Sequence, residues 1–391
     1  MLSHRVMGEV PAAQAFLGGW QAELYFPSKY YELIKSASAP WTQTAARPSP
    51  SSRAASLFYR GGIEIEMVVD KSIGDGSPAF IREAVATLRD ARLESRTRRQ
   101  PPAVRFPSPE ALGQVIRDLS AALYPRRLGG FRGEPEQEDA FVAARLAHGL
   151  DILRQEIDAE IAYWQLESAA PFDDDHAATL IRHFAATLAD VRALIDSDID
   201  AAFIGDPAAR SVDEILVSYP GAIATLHHRI AHELHTLGAA IVARSISELA
   251  NARTGIDIHP GATIGPRFFI DHGTGVVIGE TAIVGSNVRL YQHVTLGARS
   301  PLWDASMGPR ERYARHPIVE DDVVIYAGAT ILGRVTIGRG STIGGNVWLL
   351  DDVPPESVIV QPGAVRLHGA EADALGDALA RTRPLARRMA S

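Results

Sequence analysis

The sequence predicts an α+β protein, with an all-α domain at residues 106–253 followed by a solenoid of short strands at residues 254–355. Two observations support this fold class. Apolar residues recur at helical spacing in the first region, whereas an aliphatic residue recurs at every sixth position in the second. A period of six fits neither a helix nor a simple strand. It fits hexapeptide coils of about eighteen residues, in which every sixth side chain enters a shared core.

Composition excludes several classes of protein. The chain has 391 residues, no cysteine and a formal net charge of −8. Without cysteine there is no disulfide, no thiolate zinc site and no cysteine nucleophile. The negative charge argues against nucleic acid or an anionic membrane as a partner. No apolar run is long enough to span a bilayer and no apolar signal segment follows Met1, so we expect a cytoplasmic protein.

Residues 1–105 are predicted to form a disordered or weakly structured extension. Residues 36–56 are rich in Ser, Ala and Pro, a composition that buries too little apolar surface to offset chain entropy. A helix is expected only over residues 78–93. Two interpretations stay open: a functional extension, or a misassigned start with Met67 as the true first residue.

The all-α domain begins where Ser108 can cap a helix and Pro109 suits its first turn. Further helices are predicted over residues 138–166, 174–195, 221–237 and 239–252, with a break at Gly205-Asp206-Pro207. The helix predicted over residues 221–237 carries three histidines, His228, His232 and His235, at positions i, i+4 and i+7. This spacing can hold zinc. No cluster of acids or thiols accompanies them, so we interpret them as a solvated polar face of the helix.

The repeat runs with two interruptions. The predicted inward positions are Ile258, Ile264, Ile270, Ile278, Val284, Leu290, Leu296, Val319, Ile325, Ile331, Ile337, Ile343 and Leu349. Eight residues separate Ile270 from Ile278, and twenty-three separate Leu296 from Val319. Insertions in a solenoid share one face and often carry the binding site. Both interruptions contain a histidine beside charged residues, so we expect the chemistry there.

His272, in the short insertion, is the candidate general base. Asp257 precedes it by fifteen residues, close to one coil, so the two side chains can stack and the carboxylate can orient the imidazole. The alternative is a turn histidine capped by an aspartate. Flanking glycines, which let a substrate approach the backbone, favour catalysis. Arg315 and His316 close the long insertion, where a guanidinium can bind a carboxylate or simply be solvated; position alone leaves this open.

Several segments together resemble the bacterial serine O-acetyltransferase family. They are Asp257–Ala262, Ile270–Thr281, Val294–Gly297, Arg315–Pro317 and Val353–Pro355. The resemblance extends over residues 108–355. A hexapeptide repeat alone is typical of many acyltransferases, whereas the DHGTG and RHP segments are more specific.

The resemblance implies a left-handed parallel β-helix, assembled as a homotrimer or a dimer of trimers. It implies transfer of acetyl from acetyl-CoA to the L-serine hydroxyl, a step of cysteine biosynthesis, without a metal. His272 would be the base and Asp257 its partner. By the same resemblance, the serine ammonium would be bound by Asp206 and Asp271, and the serine carboxylate by Arg315 and His316. Acetyl-CoA would be bound by Gly297, Ala298, Ala327 and Gly345.

The chain departs from this family at its C-terminus. The resemblance leaves cysteine synthase as a possible partner, but the chain ends in Met389-Ala390-Ser391 instead of the isoleucine through which many members bind that enzyme, which argues against the partnership. Residues 356–391 are predicted to be a tail, and the loop before Arg315 is longer than usual. Three other functions remain open: acetylation of another small acceptor, a carbonic-anhydrase-like metal site using three of His259, His272, His293 and His316, or an inactive scaffold.

Overall fold

The computed structural model describes residues 55–58, 64–67, 78–99, 105–165, 172, 175–299 and 313–361. The chain divides into two compact units, residues 1–91 and 92–391. Strands β1 (Ala55–Phe58) and β2 (Glu64–Met67) pair antiparallel, and helix α1 spans Ala79–Arg99. The helix predicted over residues 78–93 is therefore present and runs six residues further. The rest of the predicted extension and residues 362–391 of the predicted tail lie outside the described residues.

Among the described residues, six α-helices and a 3-10 helix (Pro135–Gln137) precede the coils of the second unit. The α-helices are α2 (Pro109–Leu123), α3 (Glu138–Gln165), α4 (His176–Gly205), α5 (Val212–Ser218), α6 (Pro220–Thr236) and α7 (Ala240–Thr254). As predicted, the Ser108 side chain caps α2, accepting a hydrogen bond from the Ala111 N–H at 3.3 Å. Helix α5 was not predicted because seven residues are too few to show a period. Among the described helices, none combines the length and apolarity that crossing a bilayer requires.

The coils form three parallel sheets. Their strands are β3 (Asp257–Ile258), β4 (Thr263–Ile264), β5 (Phe269–Ile270), β6 (Val277–Ile278), β7 (Ile283–Val284), β8 (Arg289–Leu290), β9 (Thr295–Gly297), β10 (Ile318–Val319), β11 (Val324–Ile325), β12 (Thr330–Leu332), β13 (Thr336–Ile337), β14 (Thr342–Ile343), β15 (Trp348–Leu349) and β16 (Val358–Ile359). The first sheet has the order β15-β12-β9-β6-β3, the second β13-β10-β7-β4 and the third β16-β14-β11-β8-β5. From β3 to β15 every third strand therefore stacks on the same sheet, as a triangular coil requires. In the last coil an isolated bridge between Val353 and Ile337 takes the place of a strand in the second sheet, so β16 follows β14.

The register confirms the period of six. Ile258 lies opposite Ile278, and Ile278 opposite Leu296, so inward residues of successive coils stack directly. The predicted inward residues are buried, except that Leu349 is only partly buried. One strand of the coils was not predicted: β16 lies beyond the expected end at residue 355 and pairs with β14.

A buried ion pair ties the helices to the first coil. Arg229 on α6 donates from Nε and Nη2 to the Asp198 carboxylate on α4, each at 3.1 Å. The same guanidinium donates to the carbonyl oxygens of Ile264 and Gly265, while the Phe268 N–H donates to Asp198. Burial raises the pKa of Asp198 to about 6 although Arg229 opposes the shift. Each polar group of the junction has a partner, as a buried ion pair requires.

Candidate active site

The predicted site residues lie at two corners of the triangular coil. The His272 corner joins the third sheet to the first and consists of residues 271–276, 291–294, 326–329 and 344–347. The His316 corner joins the first sheet to the second and consists of residues 259–262, 279–282 and 315–317. Strand β6 runs between the two corners. In the described part of the chain, no hydrogen bond or ion pair joins His272 to His316.

The short insertion forms a turn in which three residues have a left-handed backbone. His272 has a φ of 61°, Gly273 of 85° and Gly275 of 76°. A methyl group on Gly275 would lie 2.3 Å from Nδ1 of His293, so the neighbouring coil also requires glycine there. The turn presents the His272 side chain outward, 70% exposed. The imidazole is therefore exposed and flanked by glycine, which leaves room beside it for another molecule.

Asp271 is the carboxylate beside His272. Its Oδ1 lies 3.4 Å from His272 Nδ1, and its Oδ2 accepts a hydrogen bond of 2.8 Å from Arg289 Nη2. The predicted partner, Asp257, instead lies 3.4 Å from the guanidinium of Arg244. Within the described residues, no hydrogen bond connects Asp257 with His272. The single chain thus does not bring that predicted pair together, and it places Asp271 beside His272 instead.

Asp206 faces the same corner from the end of α4. Its Oδ2 accepts a hydrogen bond of 2.6 Å from the Tyr219 hydroxyl, and its Oδ1 accepts one of 2.8 Å from the Ala208 N–H. The Tyr219 hydrogen bond is the largest cause that lowers the pKa of Asp206, with smaller contributions from the charges of Arg289 and His272. The same bond raises the pKa of Tyr219 to about 12. Asp206 is therefore anionic at neutral pH, and Tyr219 is a proton donor.

Arg289 is a functional candidate that the sequence did not reveal. It occupies an outward position of β8, where a single arginine resembles any solvated surface residue. In the structure its guanidinium carbon lies 4.9 Å from the Phe269 ring centroid and 4.7 Å from that of Tyr291. Only the three-dimensional position, between two rings and against Asp271, distinguishes it.

His316 is buried and held in one tautomer. Its Nδ1 accepts a hydrogen bond of 3.1 Å from the Thr281 N–H and lies 2.9 Å from Thr281 Oγ1. That oxygen accepts from the N–H groups of Arg315 at 2.9 Å and His316 at 3.1 Å. The threonine proton therefore points to Nδ1, which leaves the His316 Nε2 as an N–H donor. Burial lowers the pKa of His316 to about 4, so the ring is neutral at pH 7.

Arg315 lies beside His316 but is already paired. Its Nη2 donates to Glu280 Oε2 at 2.8 Å. An arginine has five N–H donors in a planar fork, so this contact leaves donors for a carboxylate. The structure thus holds Arg315 and His316 with contacts from Glu280 and Thr281, two residues that the sequence did not reveal.

The four predicted acetyl-CoA residues fall into two pairs. Gly297 ends β9 and Ala298 follows it, at the turn from the first sheet towards the second. Ala327 and Gly345 lie on successive coils at the His272 corner, where a methyl group on Gly345 would be 3.2 Å from the Ala327 carbonyl oxygen. At Gly297 a methyl group would lie 2.8 Å from Leu332 Cδ2, so that side chain packs against the glycine.

The histidines of α6 pack against the first coil, so the interpretation of a solvated face is wrong. His228 is buried, and neither of its ring nitrogens has a hydrogen-bond partner. Burial lowers its pKa well below the usual value, so this imidazole is neutral. His232 Nδ1 lies 2.9 Å from the Pro260 carbonyl oxygen. Across the described residues, no group of three or more His, Asp or Glu side chains is placed to hold a metal ion.

Comparisons with known proteins agree with the repeat and with the helices. A family model described as bacterial transferase hexapeptide (six repeats) matches residues 316–351. The chain is 48% identical over 261 residues to "Serine acetyltransferase, plasmid" of Synechococcus elongatus, covering 66% of this chain and 82% of that protein. It is 48% identical over 173 residues to serine acetyltransferase of Bacillus licheniformis, covering 44% and 76%. Serine acetyltransferase isoform 3 of Entamoeba histolytica, crystallised with cysteine, is similar in structure with a TM-score of 0.56. That similarity has 33% identity and covers 68% of this chain and 87% of the other.

Proposed function

The chain belongs to the serine acetyltransferase family, and from that premise we propose that it transfers acetyl from acetyl-CoA to the hydroxyl of L-serine. The products are O-acetyl-L-serine and CoA, a step of cysteine biosynthesis. One observation carries the assignment: an exposed imidazole, His272, lies on a glycine-flanked turn beside the carboxylates of Asp271 and Asp206. A base beside two anionic groups suits an acceptor that carries both a hydroxyl and an ammonium.

The proposed reaction is a direct transfer. His272 removes the hydroxyl proton while the serine oxygen attacks the thioester carbonyl, so that the new C–O bond forms as the carbonyl oxygen gains charge. Collapse of this tetrahedral species breaks the C–S bond, and the imidazolium returns its proton to the departing thiolate. No acyl-enzyme forms in this scheme. N–H donors near the carbonyl oxygen would stabilise the developing negative charge.

In this proposal, the two charged groups of serine are each bound by residues of the opposite charge. Asp206 and Asp271 hold the ammonium, and Arg315 and the neutral Nε2–H of His316 hold the carboxylate. Support comes from the anionic state of Asp206 and from the fixed tautomer of His316. In one chain these groups belong to different corners. We propose that a neighbouring copy brings its His316 corner against the His272 corner, in a homotrimer or a dimer of trimers of left-handed coils.

Acetyl-CoA is proposed to lie along the coils beside Gly297, Ala298, Ala327 and Gly345. The small side chains of these residues leave room for the pantetheine arm. No metal takes part in this scheme. Because acetyl-CoA is the acetyl donor, we propose that the chain works in the cytoplasm.

The decisive experiment measures CoA release from acetyl-CoA after dialysis of the protein against a chelator. We expect release that depends on L-serine. Release with L-homoserine or an amino sugar but not with L-serine would favour another acceptor. Loss of activity on chelation would favour a metal site, and no release with any acceptor would favour a scaffold.

A second comparison tests the partner of the base. By resemblance the partner is Asp257, whereas the structure places Asp271 nearer. We propose that Asp257 orients His272, so Asp257→Asn should lower kcat with little change in the serine KM. Asp271→Asn should mainly raise the serine KM. The reverse pattern would transfer the orienting role to Asp271.

A further inference from the structure

We propose that Arg289 is a positioning residue and an internal counter-ion of the His272 corner: it holds Asp271 and reduces the negative charge that His272 and a substrate ammonium experience. The inference rests on the proposed function, in which His272 is the base. It assigns a role to a residue that touches neither the serine hydroxyl nor the thioester in the proposed scheme.

Asp271 bridges Arg289 and the imidazole. Its Oδ2 is engaged by Arg289 Nη2 at 2.8 Å, while its Oδ1 lies 3.4 Å from His272 Nδ1. A free carboxylate at that distance would stabilise the imidazolium and make His272 carry a proton at a higher pH. The guanidinium opposes this effect, because it neutralises the same carboxylate. Arg289 thereby favours the neutral imidazole, which is the form that acts as a base.

The charges of the corner also add up to a defined value. Among the charged groups that face this corner in one copy, Asp206 and Asp271 contribute two negative charges, and Arg289 contributes one positive charge. The sum is a single negative charge, which one ammonium group neutralises. Without Arg289 the corner would carry two, and a ligand with two ammonium groups would suit it better than L-serine does. Asp257 and Arg315, which the proposed function also brings near the substrate, are the same in every variant at position 289 and do not alter the difference.

The guanidinium has little freedom to leave. It lies over the rings of Phe269 and of Tyr291, and the Tyr291 ring stacks in turn on Tyr326 at a centroid distance of 5.0 Å. A methyl group on Gly205 would lie 3.4 Å from Arg289 Nη1, so α4 confines it from another side. Two aromatic faces and a carboxylate therefore hold the positive charge of Arg289 at one position.

One feature argues against a purely structural arginine. Arg289 Nε is buried and has no hydrogen-bond partner among the described residues. A buried donor without a partner destabilises a fold, so packing alone would be served better by an apolar side chain of similar length. The retained charge indicates that the cation itself matters at this corner.

Three variants separate charge from shape. Arg289→Met keeps the length of the side chain and removes the charge, whereas Arg289→Lys keeps the charge. The matched control is Arg339→Met, because Arg339 pairs with Asp321 at 3.0 Å in a turn that joins the second and third sheets. Thermal unfolding and size-exclusion chromatography establish that each variant folds and assembles like the parent.

The first readout is the titration of His272, observed by ¹³C NMR of protein labelled at histidine Cε1. The resonance is assigned by its absence from His272→Gln, so the measurement does not require turnover. In Arg289→Met the midpoint should move to higher pH by roughly 0.5 to 1, with Arg289→Lys and Arg339→Met close to the parent. An unchanged midpoint in folded Arg289→Met would overturn the inference even if serine is acetylated. If the parent acetylates no serine, the proposed function fails while this titration still decides the role of Arg289.

The second readout is ligand charge. L-2,3-diaminopropionate has the shape of serine with an amine in place of the hydroxyl, and at acid pH both of its amines are protonated. Its inhibition constant, divided by the serine KM, should fall about tenfold in Arg289→Met. The reason is that its second ammonium group gains an attraction to the negative charge that Arg289 no longer neutralises. An unchanged ratio would refute the role of Arg289 in setting the charge of the corner. Equal changes in Arg289→Met and Arg289→Lys would show that shape, not charge, is responsible.

Discussion

Gly279→Ala tests the position of His316 with a single added methyl group. The backbone of Gly279 is not left-handed, so alanine is compatible with its conformation. The methyl carbon, however, would lie 2.0 Å from His316 Cδ2 and 2.1 Å from Nε2. Because carbon atoms in contact are about 3.5 to 4.0 Å apart, the imidazole must retreat by roughly 1.5 Å.

That retreat breaks the contacts which fix the tautomer. The hydrogen bond of 3.1 Å from the Thr281 N–H and the contact of 2.9 Å with its hydroxyl would both exceed bonding distance. Overpacking of this kind costs about 1 to 3 kcal/mol of folding free energy. A binding group displaced by about 1 Å can lower the rate about 10²-fold, so we expect that loss in kcat/KM for L-serine.

The assay is CoA release at varied serine concentration, with urea unfolding for stability. Gly113→Ala is the control, because its methyl group on α2 would meet only the Arg117 guanidinium at 3.4 Å. A cycle with His316→Ala completes the test. Once the ring is removed, Gly279→Ala should change neither activity nor stability further. A folded Gly279→Ala protein with parental kinetics and stability would refute this account of the His316 corner.

Three further predictions follow from the site. His272→Ala should lower kcat by roughly 10² to 10⁴, the usual loss when a general base is removed, and a folded variant with full serine acetylation would move that role elsewhere. Asp206→Asn should raise the serine KM about tenfold or more with little effect on the acetyl-CoA KM, whereas equal effects would indicate a folding defect. The free energy of unfolding should fall as the pH drops from about 6.5 towards 4, by at most roughly 1.4 kcal/mol per pH unit for each histidine whose pKa burial lowers, and the raised pKa of Asp198 offsets part of this fall below about pH 6. Burial lowers the pKa of His259 and of His316 to about 4, so the unfolded chain binds protons first. Urea unfolding of His316→Gln across this range should show a shallower slope, and an unaltered slope would contradict the prediction.

The period of six predicted the coils because each inward side chain enters the same narrow core, where a wrong residue type is costly. Local signals were equally informative where one residue has one physical role, as with Ser108 at the start of α2. Short elements gave no such signal. Helix α5 and strand β16 are specified by what they pack against, and no period develops over seven residues or two.

The site was predicted as residue types but not as a set of contacts. The turn at His272 could be inferred because an insertion in a regular repeat has to bulge outward. The ion pairs of the site could not be inferred in the same way, because their members lie far apart in sequence, on neighbouring coils. Arg289 pairs with Asp271, 18 positions away, and Arg315 pairs with Glu280, 35 positions away. The histidines of α6 were misjudged for a related reason. A polar sequence does not reveal that a second element covers that helix face, and the Arg229 junction places the first coil there.

The junction of Arg229 and Asp198 also relates the first coil to the order in which the chain is synthesised. A repeat array can in principle begin to fold at any coil, because each coil contacts only its neighbours. Here the carbonyl groups of the first coil are satisfied by a guanidinium on α6, and that helix leaves the ribosome before any strand of the array. The helices are thus synthesised before the coils, and the first coil is synthesised next to them in the chain. Phe269 of that coil completes the core of the helices, so the first coil belongs to both parts of the fold.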